Sequence, residues 1–142
     1  MRRELRAMKK YKEHEIVEKS YYYVTRGGVS TKQGKIKPGT TQQEKISNRI
    51  NRIRFDEPDM HLAGFLTIYN THKARLEALE HSIKADLVDA RLQHYSNDHF
   101  RFTFMPHVKR KLQYKVLTTT ILAKAVQYCK EYNLEYEVTL WE

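Results

Sequence analysis

Four side chains in the first part of the chain have the chemistry that phosphodiester hydrolysis needs. The reaction requires a group that deprotonates water, a cation that holds the phosphoryl oxygens and, usually, a metal ion that offsets charge on the leaving oxygen. A phenol, an ammonium, a guanidinium and a carboxylate are available for these purposes in Tyr22, Lys37, Arg49 and Glu77. They form one site only if the fold brings them together.

Tyr22 and Lys37 lie in two segments that are predicted to pair as a hairpin. Residues 20–25 are rich in aromatic and β-branched side chains, which suit a strand, and residues 35–40 run back after a glycine-bearing loop. Because side chains alternate along a strand, we expect Tyr22 and Lys37 to meet on one face of the sheet. The ammonium would then favour the phenolate and lower the pKa of Tyr22 from about 10, so that Tyr22 acts as a general base.

Arg49 and Glu77 lie on predicted helices. Isoleucines recur at helical spacing in residues 41–54, and Arg49 stands at the margin of their apolar stripe, from which it can reach a phosphate. Glu77 stands at the boundary between the core and solvent on the next helix, where a hard cation can enter. One carboxylate favours a single Mg²⁺ (or Mn²⁺) ion that keeps several waters. Glu80 lies closer to the apolar stripe and is the second candidate ligand.

The remaining segments complete the prediction of one α/β domain of the α+β kind, with a small, mainly antiparallel sheet flanked by helices. Alternating or periodic apolar residues predict a strand over 61–70, a helix capped by Asn70 or Thr71, an extended piece over 100–104, a helix over 118–132 and a strand over 134–140. Pro38 predicts that its strand is an edge or ends there. The expected organisation is a basic helical arm (1–19), a core (20–105) and a helix-strand extension packed on the core (106–142).

Short motifs in the core resemble those of the GIY-YIG nuclease superfamily. Ser20-Tyr21-Tyr22-Tyr23-Val24 is similar to the family's Gly-Ile-Tyr strand, with serine in place of glycine and Tyr22 in the tyrosine position. Ile36-Lys37-Pro38-Gly39-Thr40 resembles the Lys-Ile-Gly form of the second motif, with proline in the middle position. Three further matches are Arg49, the Glu77-x-x-x-His81 pair and Asp98-His99-Phe100.

The resemblance implies a GIY-YIG-like fold over about residues 20–102 and a metal-dependent DNA endonuclease. Tyr22 would be the general base, Lys37 would tune it, Arg49 would hold the phosphate, and Glu77 would hold the divalent metal. His81 would be auxiliary. Family members usually carry a separate module that chooses the DNA sequence, and none is evident here.

The overall charge agrees with a polyanionic partner. Lys and Arg number 26 against 17 Asp and Glu in 142 residues, which gives a net charge of +9 and favours nucleic acid or an anionic surface. Apolar runs are far shorter than the roughly 20 residues that span a bilayer, and Cys129 is the single cysteine, so we expect a soluble intracellular protein. The spacing of His and Cys residues disfavours zinc. Expected backbone contacts are Lys35, Lys45, Arg52, Arg54, Lys109, Arg110 and Lys111.

A plainer interpretation stays open. Tyr22 could be a sheet-packing aromatic, Lys37 and Arg49 could be solvated charges, and Glu77 with His81 could be an ordinary surface pair. The chain would then be a non-catalytic basic module that binds nucleic acid or takes part in an assembly. The sequence leaves a protein partner or a homo-oligomer open under either interpretation.

Overall fold

The computed structural model describes residues 14–42, 45–89, 93–94 and 99–141. The first 13 residues of the predicted N-terminal arm lie outside this part of the chain, as does Asp98. Residues 17–19 of that arm belong to the first strand.

The described residues form an α+β fold with an open antiparallel sheet and three helices, which confirms the predicted fold class. The strands are β1 (Val17–Arg26), β2 (Gly34–Thr41), β3 (His61–Thr71), the two-residue β4 (Gln93–His94), β5 (Phe100–Phe102) and β6 (Glu135–Leu140). Their order across the sheet is β4-β5-β2-β1-β3-β6. The helices are α1 (Ile46–Asp56), α2 (Lys73–Asp89) and α3 (Arg110–Glu131). No described helix is long and apolar enough to cross a membrane.

One face of the sheet packs against α2 and α3 and forms the main core. Tyr22 and Val24 of β1 and Leu66 and Ile68 of β3 alternate onto this face, because successive strand side chains point to opposite sides. The helices contribute an apolar stripe to the same cluster: Leu76, Leu79, Ile83, Leu87, Ile121, Leu122, Ala125 and Cys129. Burial raises the pKa of the Cys129 thiol to about 11, so this cysteine behaves as a small apolar residue.

Within the described residues, the opposite face packs against α1 and forms a smaller core. Ile50 and Ile53 of α1 cover Tyr23, Met60 and Leu62, while Phe65 is only partly buried. Residues 21–25 of β1 are buried, whereas Lys35 and Lys37 of β2 are partly exposed on this face.

The predicted start of the last helix needs correction, and of the two alternatives at Pro38 the structure shows the edge. The last helix begins at Arg110 rather than at residue 118, because its first turns are anchored by polar contacts that an apolar pattern does not show: Gln113 bonds the backbone of Met105 and Val108, and the Tyr114 hydroxyl donates to the Gly28 carbonyl. The second strand continues past Pro38. The proline is tolerated because β5 pairs with β2 only at residues 34–36, so Pro38 is locally at an edge.

Candidate nucleic-acid interface

The hairpin register places Tyr22 and Lys37 on opposite faces of the sheet, so the expectation that they meet is wrong. Tyr22 lies opposite Thr40, and Lys37 lies opposite Thr25. Residues directly opposite in an antiparallel pair share a face. Tyr22 therefore points toward α2 and α3, and Lys37 points toward the side of α1.

The environment of Tyr22 does not suit a general base. Its side chain is 1% exposed, and its hydroxyl has no hydrogen-bond partner. Burial raises the pKa of this phenol well above its usual value, and the negative charge of Glu80 adds to the shift. The predicted lowering of the pKa by Lys37 does not occur, because the ammonium lies across the sheet.

The two candidate carboxylates on α2 have different surroundings. Glu77 is half-exposed, and its carboxylate lies 3.9 Å from the ammonium of Lys73, one turn earlier. Glu80 faces the sheet edge, where the Thr40 hydroxyl donates a hydrogen bond to its carboxylate. Glu80 also lines a pocket of about 130 Å³ with Tyr22, Pro38, His81, Lys84 and Phe100. Glu80 is partly buried in this pocket, whereas Glu77 is exposed at the surface. His81 is also exposed, at the rim of the pocket.

Arg49 contacts a tyrosine, but the tyrosine is Tyr23. The Arg49 Nε donates a hydrogen bond of 3.1 Å to the Tyr23 hydroxyl. Gly39 lies opposite Tyr23 in the hairpin, and a Cβ at Gly39 would come within 2.5 Å of the Tyr23 oxygen. The glycine of the second motif is thus what lets the phenol lie flat across β2 and reach the guanidinium.

Lys37 belongs to an ion-pair cluster on this same face. The Glu57 carboxylate, at the end of α1, lies 2.8 Å from the Lys35 ammonium and 3.9 Å from the Lys37 ammonium. Burial acts to raise the pKa of Glu57, but the hydrogen bond and charge of Lys35 and the charge of Lys37 outweigh it and hold that pKa below its ordinary value. One carboxylate shared by two lysines leaves the cluster with a net positive charge.

The short strand β5 extends this positive surface. Arg101 lies opposite Lys35, and so on the same face. His99 is two residues earlier and also faces Glu57 and the lysines; its pKa is lowered, mainly by burial and then by the charge of Lys35. Beside them a polar cleft of about 730 Å³ is lined by Thr31, Lys32, Gln33, Gly34, Lys35, Asp59, Arg101 and Thr103.

The predicted backbone contacts outside the hairpin fall into two groups. Lys45, Arg52 and Arg54 are exposed on or beside α1, on the side of the sheet that holds Lys35 and Lys37. Lys109 and Lys111 are exposed at the start of α3. Arg110 is occupied differently, because its guanidinium donates to the carbonyls of Val29 and Thr31 and lies over the Phe104 ring. Arg110 fixes the loop between β1 and β2.

The predicted magnesium ion has no preformed cage in the described residues. Within residues 14–42, 45–89, 93–94 and 99–141, no group of three or more His, Cys, Asp or Glu side chains is arranged to hold a metal ion. Glu77 does not fit the expected position, since it lies on the far side of the sheet from Lys37 and Arg49. A site of the predicted kind, one carboxylate and several waters, needs no such group, so the Mg²⁺ ion stays a prediction.

The sequence interpretation missed Tyr23, Glu57, His99 and Arg101. The face of Tyr23 depends on the hairpin register, which places it opposite Gly39 and which the sequence does not determine. Glu57 follows the end of α1 and leaves no sequence pattern. The extended piece over 100–104 was predicted, but not its pairing with β2, which places Arg101 opposite Lys35.

Comparison with known proteins gives no assignment. No protein-family model matches the chain, and no match exists among the curated proteins or the solved structures searched. The resemblance to the GIY-YIG superfamily therefore rests on the short motifs alone.

Proposed function

We propose that the chain binds the phosphate backbone of a nucleic acid on the sheet face that carries α1. The observation that carries this proposal is the grouping of Lys35, Lys37 and Arg101 on that face, next to a polar cleft that also contains Lys32. Two of these cations share Glu57, which holds them in place without cancelling their charge. Lysine and arginine side chains fixed in this way bind phosphates by replacing condensed counterions.

The shape of the surface supports the same conclusion. The cleft is lined mainly by polar and charged residues, and exposed Arg52 and Arg54 continue the positive charge along α1. The net charge of +9 adds a long-range attraction for any polyanion. We therefore expect backbone contacts and a strong dependence of affinity on salt.

Binding of a labelled DNA duplex, followed by fluorescence anisotropy at several salt concentrations, tests this proposal. The double variant Lys32→Met with Lys37→Met should bind at least about tenfold more weakly and should lower the slope of log affinity against log salt by about 2. The matched control is Lys115→Met with Lys130→Met, which removes the same charge from exposed positions on α3. If both double variants lose the same affinity, non-specific attraction by the net charge explains binding. The assignment of binding to this face would then be wrong.

A second candidate function is the endonuclease activity predicted from the motifs. The contact between Arg49 and Tyr23 favours it, because it puts a phenol beside a guanidinium on the phosphate-binding face. In this version Tyr23 replaces Tyr22 as the proton-transfer group, and Arg49 and Lys37 hold the phosphate. Tyr23 is as buried as Tyr22, at 1% exposed, and differs from it in the guanidinium that its hydroxyl contacts.

Relaxation of supercoiled plasmid, with Mg²⁺ or Mn²⁺ and with a chelator instead, tests the second candidate. Tyr23→Phe and Arg49→Met should each lower the rate by about a hundredfold or more, as loss of a reacting group does. Tyr22→Phe removes the neighbouring hydroxyl from the opposite face and should keep full activity, and so should Glu77→Gln. Wild-type protein that binds DNA without cutting it would exclude the nuclease and leave the binding function intact.

A further inference from the structure

Strand β6 (Glu135–Leu140) is an edge of the sheet with unusual features for an edge. Within the described residues it pairs with β3 alone. Edges are commonly protected by proline, lysine, a bulge or a very short strand. The sequence Glu-Tyr-Glu-Val-Thr-Leu contains neither proline nor lysine, and its pairing with β3 runs in one unbroken register over six residues.

The free backbone groups of β6 belong to its apolar residues. The Trp141 amide donates to the Ala63 carbonyl of β3 at 3.1 Å. Because backbone groups alternate in direction along an antiparallel strand, Thr139 and Glu137 also point their amides and carbonyls toward β3. The amides and carbonyls of Tyr136, Val138 and Leu140 then point away from the sheet. A second strand can therefore hydrogen-bond to these three residues.

The side chains at this edge are also open. Val138 is 44% and Leu140 is 52% exposed, although both point to the face that α3 covers over the rest of the sheet. Leu140 lines a small cleft with Thr118 and Thr119 of α3, so the helix reaches this edge but leaves its side chains partly uncovered. Exposed aliphatic side chains next to free backbone groups are the usual composition of a strand-addition surface.

The edge is complementary to itself in one register. If Val138 lies opposite Val138 of a second copy, Tyr136 lies opposite Leu140, and the outward backbone groups of both strands bond to each other. On the other face, Glu137 then lies opposite Thr139. Moving the centre to residue 137 would place Glu137 opposite Glu137, where two like charges repel. Moving it to Thr139 would keep the hydrogen bonding but would pair only residues 138–140 of each strand. The register centred on Val138 avoids the repulsion and pairs residues 136–140 of each strand.

We propose that β6 pairs antiparallel with β6 of a second copy, around a two-fold axis at Val138, to form a homodimer with one continuous sheet. Such an interface is isologous, since each strand offers the same surface to the other. It does not involve Lys35, Lys37 or Arg101, so the proposal stands independently of nucleic-acid binding.

Sedimentation velocity of the full chain over a wide range of concentrations tests the dimer. Wild-type protein should pass from monomer to dimer as concentration rises. Val138→Lys should raise the dimer dissociation constant by about tenfold or more, because two ammonium groups would face each other at the axis. Val116→Lys is the matched control, since Val116 is an exposed valine on α3 (58% exposed) and should leave the dimer unchanged.

A third variant separates loss of pairing from loss of folding. Val138→Pro removes the outward amide at the centre of the interface but no bond to β3, so thermal unfolding should stay close to wild type while the dimer is lost. A short bifunctional thiol reagent should join two copies of Val138→Cys and not of Glu137→Cys. A monomer at every concentration, or crosslinking of Glu137→Cys alone, would overturn the proposal.

Discussion

The two faces of the sheet differ in polarity although they are built from the same alternating strands. The face under α2 and α3 is apolar, and the phenol that β1 adds to it, Tyr22, is buried without a hydrogen-bond partner. The face under α1 holds a phenol bonded to arginine and a glutamate shared by two lysines. The adjacent residues Tyr22 and Tyr23 therefore lie in different environments. Residue type alone does not say which tyrosine lies beside Arg49; the face of the strand does.

Leu66→Ala should cause the largest loss of stability. Leu66 is fully buried under α2 and α3, and its deletion leaves a cavity that costs about 3 kcal/mol in the free energy of unfolding. Phe65→Ala, on the other face, should cost less although the side chain is larger, because the space it leaves opens to solvent. Urea unfolding followed by circular dichroism compares the two. A larger loss for Phe65→Ala would show that the α1 face carries the main core.

Gly39→Ala should disturb the α1 face alone. The new methyl would overlap the Tyr23 ring and oxygen, and we expect a loss of about 2 kcal/mol from the resulting shift. Gly28→Ala is the control, because a Cβ at Gly28 meets no atom within 4 Å. The measurement is again the urea midpoint, together with DNA affinity. If Gly39→Ala keeps wild-type stability, Tyr23 is not held against β2 as described.

Conservative changes at the two neighbouring tyrosines should have effects of opposite sign. Tyr22→Phe removes a buried hydroxyl with no partner and should increase stability by about 1 kcal/mol. Tyr23→Phe removes the acceptor of the Arg49 bond and should decrease stability by about 1 kcal/mol. Thermal unfolding of both variants, measured side by side, is sufficient. Destabilisation by both would mean that the Tyr22 hydroxyl has a partner after all.

Among these changes, loss of the ion pairs around Glu57 should have the smallest effect on stability. The effect should be visible only at acidic pH. The pKa of Glu57 is lower in the folded than in the unfolded chain, so its stabilising contribution is fully present above its unfolded pKa of about 4.5 and is lost as the pH falls through the lower folded value. Glu57→Gln should therefore flatten the decline of stability below about pH 4.5. Glu77→Gln is the control on the exposed side of α2. An unchanged acid profile in Glu57→Gln would mean that Lys35 and Lys37 do not stabilise the carboxylate.

Much of the fold follows from local patterns. The aromatic and β-branched run in β1, the isoleucine stripe of α1 and the alternation in β6 each specify an element through propensity and burial, and all three elements form. Between α3 and β6, Asn133 adopts a left-handed conformation with φ of 54°, which asparagine tolerates. The early turns of α3 were missed because Gln113 and Tyr114 are polar residues buried by long-range hydrogen bonds. Only a folded chain supplies those partners.

The candidate site was less predictable, and the reason is the hairpin. The sequence by itself determined that β1 carries three consecutive tyrosines, that β2 carries alternating lysines and that the chain is strongly basic. It did not determine the register between the strands, and with a side-chain period of two a change of one residue moves a side chain to the other face. The tertiary structure pairs Tyr23 with Gly39 and Thr25 with Lys37, and this alone puts Tyr23 rather than Tyr22 on the face of Arg49 and Lys37.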